Sequence, residues 1–379
     1  MADKKIISNI ISAQPKIWNQ LQKIHVSKQI GSAYFFSGPA GCGKEGIALQ
    51  FAQLLNCEDQ GGDSCMVCSS CKRFLSLQHE NLKLIFPLPV QKSPPDKIEG
   101  FVGTKDLDNI TNSIASKSKD PFYKIKIPKA TRIPIQSIRL LRKSLYLRKE
   151  KTGRQVVIVF DSHLLSEGQG ESGNAFLKLL EEPPEQTTII LVSDHSELLL
   201  PTIVSRCQII RFPKLADEYV NNWLKKKGVQ NEALALLTSL SRGNIHQANF
   251  ISSQSLDDLV MLIEDLIKMI SQNKPNEWRS FIQMYSKIAT QDYIKLSFHF
   301  YLLKIWFHSA NRLMKNLDDI LHKTSLKPGM LQVIKKYPTA DFYSITLQLE
   351  EVLRAKSRNR YMPLVLINFL INTQKYLNQ

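Results

Sequence analysis

The sequence predicts an α/β fold with a parallel sheet, followed by a helical C-terminal region. Three observations predict it. First, the apolar segment "YFFS" at 34–37 leads through a glycine-rich loop into "GIALQFAQLL", whose apolar spacing is that of a helix. Second, two further apolar strands, 156–160 and 187–193, alternate with helical segments, as in parallel sheets. Third, the chain after Phe212 consists almost entirely of helical patterns.

Composition limits the class of protein. The chain has 379 residues, of which 43% are hydrophobic, and this is enough for two or three domains with buried cores. Its formal net charge of +16 favours an anionic partner such as nucleic acid, although solubility alone could explain it. The chain begins without a signal-peptide pattern, and the apolar run "YMPLVLINFLI" is too short and too interrupted to span a bilayer. We therefore expect a cytoplasmic protein with no membrane association.

The glycine-rich loop "GPAGCGKEG" has most of the features of a phosphate-binding loop. Gly38, Gly41 and Gly43 would let backbone N–H groups approach phosphates, and Lys44 would reach the β- and γ-phosphates. The next position in such loops is Ser or Thr, whose hydroxyl binds Mg²⁺. Here it is Glu45, an anionic side chain that would crowd the metal position and repel the phosphates.

Four cysteines follow the loop helix with the spacing C-x7-C-x2-C-x2-C, namely Cys57, Cys65, Cys68 and Cys71. In a cytosolic chain this pattern indicates a metal site and not disulfides, and thiolates suit zinc. Four protein ligands leave no position for water, so the predicted zinc is structural. The alternative is four thiols without metal. With four thiolates present, His79 is not needed as a ligand.

Residues from about 87 to 130 are rich in Pro, Ser and Lys, and we expect an insertion or a long surface excursion there. The next segment, "IPIQSIRLLRKSLYLRK", has the pattern of an amphipathic helix with Ile138, Leu141 and Leu145 on one face. Its other face is basic and is either solvated or turned towards DNA.

Taken together, these segments resemble the bacterial clamp-loader subunits of DNA polymerase III, which are AAA+ proteins and include the gamma/tau ATPase and its relative delta prime. The resemblance covers most of residues 1–250, and its specific motifs are "NAFLKLLEEPP" at 174–184 and "SRC" at 205–207. It implies three domains: an AAA+ P-loop domain over 1–212 with the zinc module at 57–71 and the insertion at 87–130, a helical lid over 213–252, and a helical collar or oligomerisation domain over 253–379.

The resemblance also shows where this chain departs from an active ATPase. Asp161 matches the acid that helps to hold Mg²⁺, but the next position, a catalytic glutamate in active relatives, is Ser162. In the lid, His246 replaces the arginine that contacts the γ-phosphate, and Arg242 is an alternative for that role one turn earlier. Such losses lower the rate of phosphoryl transfer by orders of magnitude. We expect no intrinsic ATP hydrolysis, while the sequence leaves open whether ATP and Mg²⁺ still bind.

Arg206 of the "SRC" motif resembles the arginine finger that this family extends into the ATP site of a neighbouring subunit. A retained finger beside a degenerate home site is similar to delta prime. The resemblance implies a non-hydrolysing stator in a ring with gamma/tau and delta subunits, which helps to load the sliding clamp on primer-template DNA. The alternatives are an active gamma/tau-type ATPase and a free-standing, zinc-containing nucleic-acid binder. Arg206 argues against the latter, because a finger needs a neighbour.

Overall fold

The computed structural model describes residues 10–59, 61–89, 104–146, 153–167, 170–357 and 360–378. They form two compact units. The sheet unit comprises the described residues up to Ala216 together with Gly243–His246, and the helical unit comprises Asp217–Arg242 and the residues from Gln247 onwards. Residues 243–246, which belong to the predicted lid, thus group with the sheet unit. The finer division into AAA+ domain, lid and collar remains a prediction.

The sheet unit is built on the parallel sheet that the sequence predicts. Neighbouring strands pair in the order β2-β3-β4-β1-β5, and every pair is parallel. The central strand β4 is buried over all seven residues, which explains its uninterrupted apolar sequence. The strand bounds are β1 Ala33–Ser37, β2 Leu82–Ile85, β3 Gln155–Val159, β4 Thr187–Ser193 and β5 Gln208–Arg211.

Helices cover this sheet. In the core, Ile138 and Leu141 pack with Phe176, Val157 and Leu191. Short 3-10 helices follow β3 and β4. The helix bounds are α1 Pro15–Val26, α2 Lys44–Leu54, α3 Ser69–Leu75, α4 Thr104–Lys119, α5 Ile135–Tyr146, α6 Glu171–Glu181 and α7 Pro201–Val204.

The segment expected to be an insertion or surface excursion is more ordered than its composition suggests. Its residues 90–103 lie outside the described part of the chain, but α4 follows, and the chain after α4 buries Phe122, Ile125 and Ile127. The side chain of Lys117, near the end of α4, has no exposed surface. The described part of this segment therefore makes tertiary contacts, through Lys117, Lys124 and Phe122 among others, that its composition does not reveal. That the segment is an insertion stays a prediction.

The helical unit contains no strand within its described residues. Its core includes packed aromatic rings, among them Phe281, Tyr285, Phe300 and Phe369. None of the described helices is long and apolar enough to cross a membrane. The helix bounds are α8 Asp217–Lys226, α9 Asn231–Ser241, α10 Ile245–Ser252, α11 Leu256–Ser271, α12 Pro275–Gln291, α13 Tyr293–Met314, α14 Lys327–Lys336, α15 Phe342–Ser357 and α16 Met362–Leu377; the first two residues of α10 group with the sheet unit.

Candidate functional site

The glycine-rich loop joins β1 to α2 at the carboxyl edge of the sheet. Gly41 and Gly43 have φ angles of +67° and +89°, a region that side chains with a Cβ rarely adopt. A Cβ on Gly41 would lie 1.9 Å from Asn244 Oδ1, and one on Gly38 would lie 2.6 Å from the Phe212 carbonyl oxygen. The loop therefore requires the glycines that the sequence pattern singled out, and neighbouring chain approaches it closely.

Lys44, the first residue of α2, is paired inside the protein. Its side chain is 3% exposed, and its ammonium group forms an ion pair with the carboxylate of Asp194. The same ammonium donates a hydrogen bond to the carbonyl oxygen of Pro39 at 2.9 Å. Asp194 directly follows β4, so its carboxylate reaches the loop from the end of the central strand. The lysine expected to contact phosphates thus has an anionic partner from its own chain.

Lys124 extends this pairing to Asp161. Its Nζ lies 2.8 Å from Asp194 Oδ2 and 2.8 Å from Asp161 Oδ1. Lys44, Asp194, Lys124 and Asp161 therefore form a line of alternating positive and negative groups, which we call the charge row. Asp161, two residues after the end of β3, adopts a left-handed conformation with φ of 47°.

The charge row shifts the pKa values of its two middle members, Asp194 and Lys124. Burial alone would raise the pKa of Asp194, but the ammonium groups of Lys124 and Lys44 hold that pKa well below its usual range. Burial alone would lower the pKa of Lys124, but the carboxylates of Asp161 and Asp194 raise it above its usual value. Both groups are therefore charged at neutral pH.

Glu45, the residue that departs from the loop pattern, has a dedicated partner. Its Oε2 lies 2.5 Å from Nζ of Lys117, which also donates to the carbonyl oxygens of Pro121 at 3.0 Å and Tyr123 at 2.5 Å. The same ammonium lies 5.4 Å from the ring centre of Phe160. A buried ammonium is tolerated only with such a set of acceptors. Glu45 is thus engaged with α4 and does not offer its carboxylate to a metal in the loop.

The space around the loop is filled by Ile10 and by the turn after α4. A Cβ on Gly43 would lie 2.9 Å from Ile10 Cδ1 and 3.2 Å from the Phe122 ring, and one on Gly46 would lie 2.7 Å from Ile10 Cγ1 and 2.9 Å from Pro121. The water-accessible volume of the cavity at the loop is only about 10 Å³. This is about the space of one water molecule, far less than a triphosphate needs. The cavity is lined by Gly41, Gly43, Lys44, Glu45, Pro121, Phe122, Asp194 and His246.

His246 contributes to this closure. Burial lowers the pKa of its imidazole, so the ring is neutral at neutral pH. Its Nε2 lies 2.6 Å from the Phe122 carbonyl oxygen, and since a carbonyl can only accept, Nε2 is the protonated nitrogen and donates. Where the resemblance expects an arginine for the γ-phosphate, this chain therefore has a neutral side chain bonded to its own backbone. Arg242 belongs to the helical unit, where its Nη2 lies 3.3 Å from Asp319 Oδ2.

No carboxylate stands at the position of the catalytic base. Ser162 is fully buried, and its hydroxyl has no hydrogen-bond partner. His163 is half-buried, with Nδ1 2.9 Å from Ser193 Oγ, and burial lowers the pKa of its ring. His163 therefore contacts the last residue of β4.

Arg206 lies on the surface of the sheet unit, just after α7. Its Nη2 lies 2.8 Å from Glu181 Oε1, and its Nη1 donates to the Thr202 carbonyl oxygen at 2.9 Å. The side chain is 39% exposed and is not among the residues that line the loop cavity. Because an exposed ion pair is worth only about 0.2–1 kcal/mol, the guanidinium can exchange Glu181 for a stronger anion.

The four cysteine sulfurs meet at one place. All four Sγ atoms lie within 4.8 Å of one another, as the spacing predicts. Zinc–sulfur bonds of about 2.3 Å would place tetrahedral sulfurs about 3.8 Å apart, so the cluster fits zinc. Backbone N–H groups of Cys65, Cys68 and Cys71 donate to sulfurs of the set at 3.3–3.4 Å. The N–H groups of Cys68 and Val67 lower the pKa of Cys65 to about 7, which favours the thiolate.

His79 stands apart from this cluster. Its Nε2 lies 3.0 Å from Ser70 Oγ, and its ring stacks on Phe74 with the centres 4.3 Å apart. The side chain is buried. This agrees with the expectation that four thiolates leave no place for it.

Three residues of this site were not predicted from the sequence: Lys117, Lys124 and Asp194. Asp194 could have been found, because it follows a parallel strand at the same edge of the sheet as Asp161, where functional groups converge. The two lysines lie in a Ser- and Lys-rich segment that looks solvated, and no local pattern identifies their partners.

A family model described as "DNA polymerase III, delta subunit" matches residues 13–216, more than half of the chain. The chain belongs to the DNA polymerase III clamp-loader family of AAA+ proteins. This clamp-loader family member is 23% identical to DNA polymerase III subunit delta' of Bacillus subtilis (strain 168) over 357 residues, which cover 91% of this chain and 90% of the relative. It is 25% identical to subunit delta' of Pseudomonas aeruginosa over 271 residues, covering 70% of this chain and 69% of the relative.

The relatives also include the tau subunit. Identity to subunit tau of Bacillus subtilis (strain 168) is 26% over 266 residues, which cover 68% of this chain and only 38% of tau. The chain thus spans less than two thirds of that relative. The similarity establishes the family, and it does not separate delta prime from gamma and tau.

The cysteine cluster gives the first test of the site. We expect metal analysis of the purified clamp-loader family member to find about one zinc per chain. Cys68→Ser should lose the zinc and lower the melting temperature by roughly 5 °C or more, because metal binding contributes directly to folding. Cys207→Ser is the matched control: this thiol lies outside the cluster and should leave the zinc content unchanged. Absence of zinc from the unmodified protein would refute the metal assignment.

The charge row gives a second testable prediction. Asp194→Asn leaves Lys44 and Lys124 without full compensation, so we expect it to lower the free energy of unfolding at pH 7 by about 3 kcal/mol. The pKa of Asp194 is lower in the folded chain than in the unfolded one, so its contribution is present above about pH 4 and is lost as the pH falls further. The difference between the two proteins should therefore shrink in acid. Urea unfolding at several pH values measures it.

The control is Asp108→Asn, an exposed carboxylate on α4, which should change little at any pH. Equal stability of Asp194→Asn and the unmodified chain at pH 7 would show that the charge row does not stabilise the fold.

Proposed function

We propose that this clamp-loader family member is a delta prime-like stator that does not hydrolyse ATP itself and supplies Arg206 to the ATP site of a neighbouring ATPase subunit. The observation that carries the proposal is the closed loop: Lys44 is paired with Asp194, and the cavity above the loop has room for about one water molecule. A loop in this arrangement has no space for the phosphates of ATP.

Hydrolysis in P-loop proteins needs a hydroxyl ligand for Mg²⁺, a residue that positions the attacking water and an open phosphate cradle. In this chain Glu45 takes the place of the hydroxyl and is bound to Lys117. Ser162 takes the place of the glutamate and is buried. The turn at Phe122 covers the cradle. Three separate requirements fail together, which supports a subunit whose own site does no chemistry.

Arg206 supports the second half of the proposal. A guanidinium offers a planar fork of N–H donors that suits phosphate oxygens, and it carries its charge at any physiological pH. Arg206 is partly exposed, and among the described residues its partners are the Glu181 carboxylate and the Thr202 carbonyl oxygen, so it is able to meet an anion on another subunit. In a ring, such a residue would neutralise charge that develops on the transferring phosphoryl group.

The proposed partners follow from this role. They are gamma/tau and delta subunits, the sliding clamp and primer-template DNA, with the cysteine cluster holding a structural zinc. The net charge of +16 is consistent with an anionic partner. Exposed basic residues of α5 extend that charge over one helix face: Arg139, Arg142 and Lys143.

An active gamma/tau-type ATPase is the second candidate. The similarity to tau and the retained Lys44 and Asp161 favour it. The ion pairs that occupy both residues argue against it.

A reconstituted clamp loader tests the proposal. With gamma/tau, delta, clamp and primed DNA present, Arg206→Ala should lower ATP turnover roughly 10-fold or more at the site it serves, because an arginine finger stabilises the transition state. Its melting temperature should stay within about 1 °C of the unmodified chain, since the lost ion pair is exposed. Arg211→Ala, which removes another exposed arginine of the same unit, is the matched control and should leave turnover unchanged.

Two results would contradict the proposal. If the complex with Arg206→Ala hydrolyses ATP as fast as the complex with the unmodified chain, Arg206 is not a finger. If the purified chain alone hydrolyses ATP in a magnesium-dependent manner, it is not a stator without a working site.

A further inference from the structure

We propose that Asp194 and Lys124 are a built-in substitute for bound magnesium and phosphate, which keeps the loop of this chain in a liganded arrangement without any nucleotide. The carboxylate of Asp194 takes the place of a phosphate beside Lys44. The ammonium of Lys124 takes the place of the metal beside Asp161. This inference extends the proposed function, which says only that the site does no chemistry.

The order of charges in the row matches the order of charges in an occupied P-loop site. In P-loop proteins the loop lysine contacts a phosphate, the phosphate contacts Mg²⁺, and an acid at the end of a strand helps to hold the metal. The sequence of charges is positive, negative, positive, negative. The charge row has the same order, and its two end members, Lys44 and Asp161, are the residues that perform those roles in the motif. The difference lies in the two middle positions, where this chain has the side chains of Asp194 and Lys124 in place of a phosphate and a metal ion.

The burial of the four side chains supports the same interpretation of the charge row. The side chains of Lys44, Asp194 and Asp161 are 3%, 13% and 14% exposed, and that of Lys124 is 21% exposed. Charges so far removed from water need partners, and within the row each one has them. Without Lys124, the carboxylates of Asp161 and Asp194 would share a site with only Lys44 to offset them. A cation at the position of Lys124 is therefore an electrostatic requirement of the site.

The turn that carries Lys124 is held by several independent bonds. Asp120 accepts from Phe122 N at 2.9 Å through its side chain and from Tyr123 N at 2.9 Å through its carbonyl. Lys117 donates to the carbonyl oxygens of Pro121 and Tyr123, and His246 donates to that of Phe122. So many contacts fix the turn in place. The position of Lys124 beside the two carboxylates is therefore set by the hydrogen bonds of this turn.

This arrangement gives the segment after α4 a definite role. Relatives that bind nucleotide can use its charges to order the loop, the strand-end acid and the residues around them. In this chain the turn at residues 120–124 performs that task. Glu45 and His246 complete the device, because one holds Lys117 and the other holds Phe122.

Replacing the internal cation tests the inference on the isolated full-length chain. We expect Lys124→Ala to lower the melting temperature in metal-free buffer by roughly 5 °C or more, and MgCl₂ at about 10 mM to restore part of that loss. Magnesium is the probe because it prefers oxygen ligands and does not compete for the thiolates of the cysteine cluster. The unmodified chain should not respond to magnesium, because Lys124 already occupies the position.

Lys126→Ala is the matched control. It removes the same charge two residues away, on an exposed side chain. Lys126→Ala should have the melting temperature of the unmodified chain, and magnesium should not raise it. If Lys124→Ala does not fold, the double variant Lys124→Ala, Asp161→Asn decides the question. Removing the uncompensated carboxylate should restore folding.

Three results would overturn the inference. The first is a Lys124→Ala variant as stable as the unmodified chain, and the second is a destabilised Lys124→Ala variant that magnesium stabilises no more than it stabilises Lys126→Ala. The third applies if Lys124→Ala does not fold, and is a double variant that does not fold either. None of these measurements involves a partner subunit. A negative result in these measurements would not affect the proposed role of Arg206. Normal ATP turnover with Arg206→Ala would likewise not affect the proposal about the charge row.

Discussion

The ion pair between Lys44 and Asp194 is the interaction on which the rest of the site depends. The loop lysine of a P-loop protein is a buried cation that needs an anion, and in this chain the anion is a carboxylate at the end of β4. Once Asp194 is in that position, Lys124 is needed between it and Asp161. The charges at the loop are therefore satisfied by the chain's own side chains.

Two departures from the family pattern, Glu45 and His246, and the bridging Lys124 belong to one structural feature. Glu45 binds Lys117, His246 binds the backbone of Phe122, and Lys124 bridges the two strand-end acids. All three contacts fix the same turn over the loop. The segment that looks like an insertion in the sequence is thus the element that closes the site. The close contacts at Gly38 and Gly41 give a physical reason for the loop glycines that does not depend on a bound nucleotide.

The sequence predicted those parts of the molecule that follow local rules. Buried strands such as Thr187–Ser193 are continuous apolar runs, and the spacing of the four cysteines anticipated their cluster. The contact between Glu45 and Lys117 joins residues 72 positions apart, and that between Lys124 and Asp194 joins residues 70 apart. Such long-range charge pairs leave no periodic signal, so the role of the segment at 87–130 could not be predicted. Whether Arg206 acts as a finger stays a prediction, because its proposed target lies on another subunit.

Nucleotide binding by the isolated, unmodified chain tests the central claim most directly. The charge row and the filled cradle predict that calorimetric titration with magnesium–ATP will detect no saturable binding up to about 1 mM, because binding would have to break the Lys44–Asp194 pair and displace the turn at Phe122. Saturable binding of one nucleotide per chain with a dissociation constant in the micromolar range would contradict the account. It would show that the loop is open to ligand.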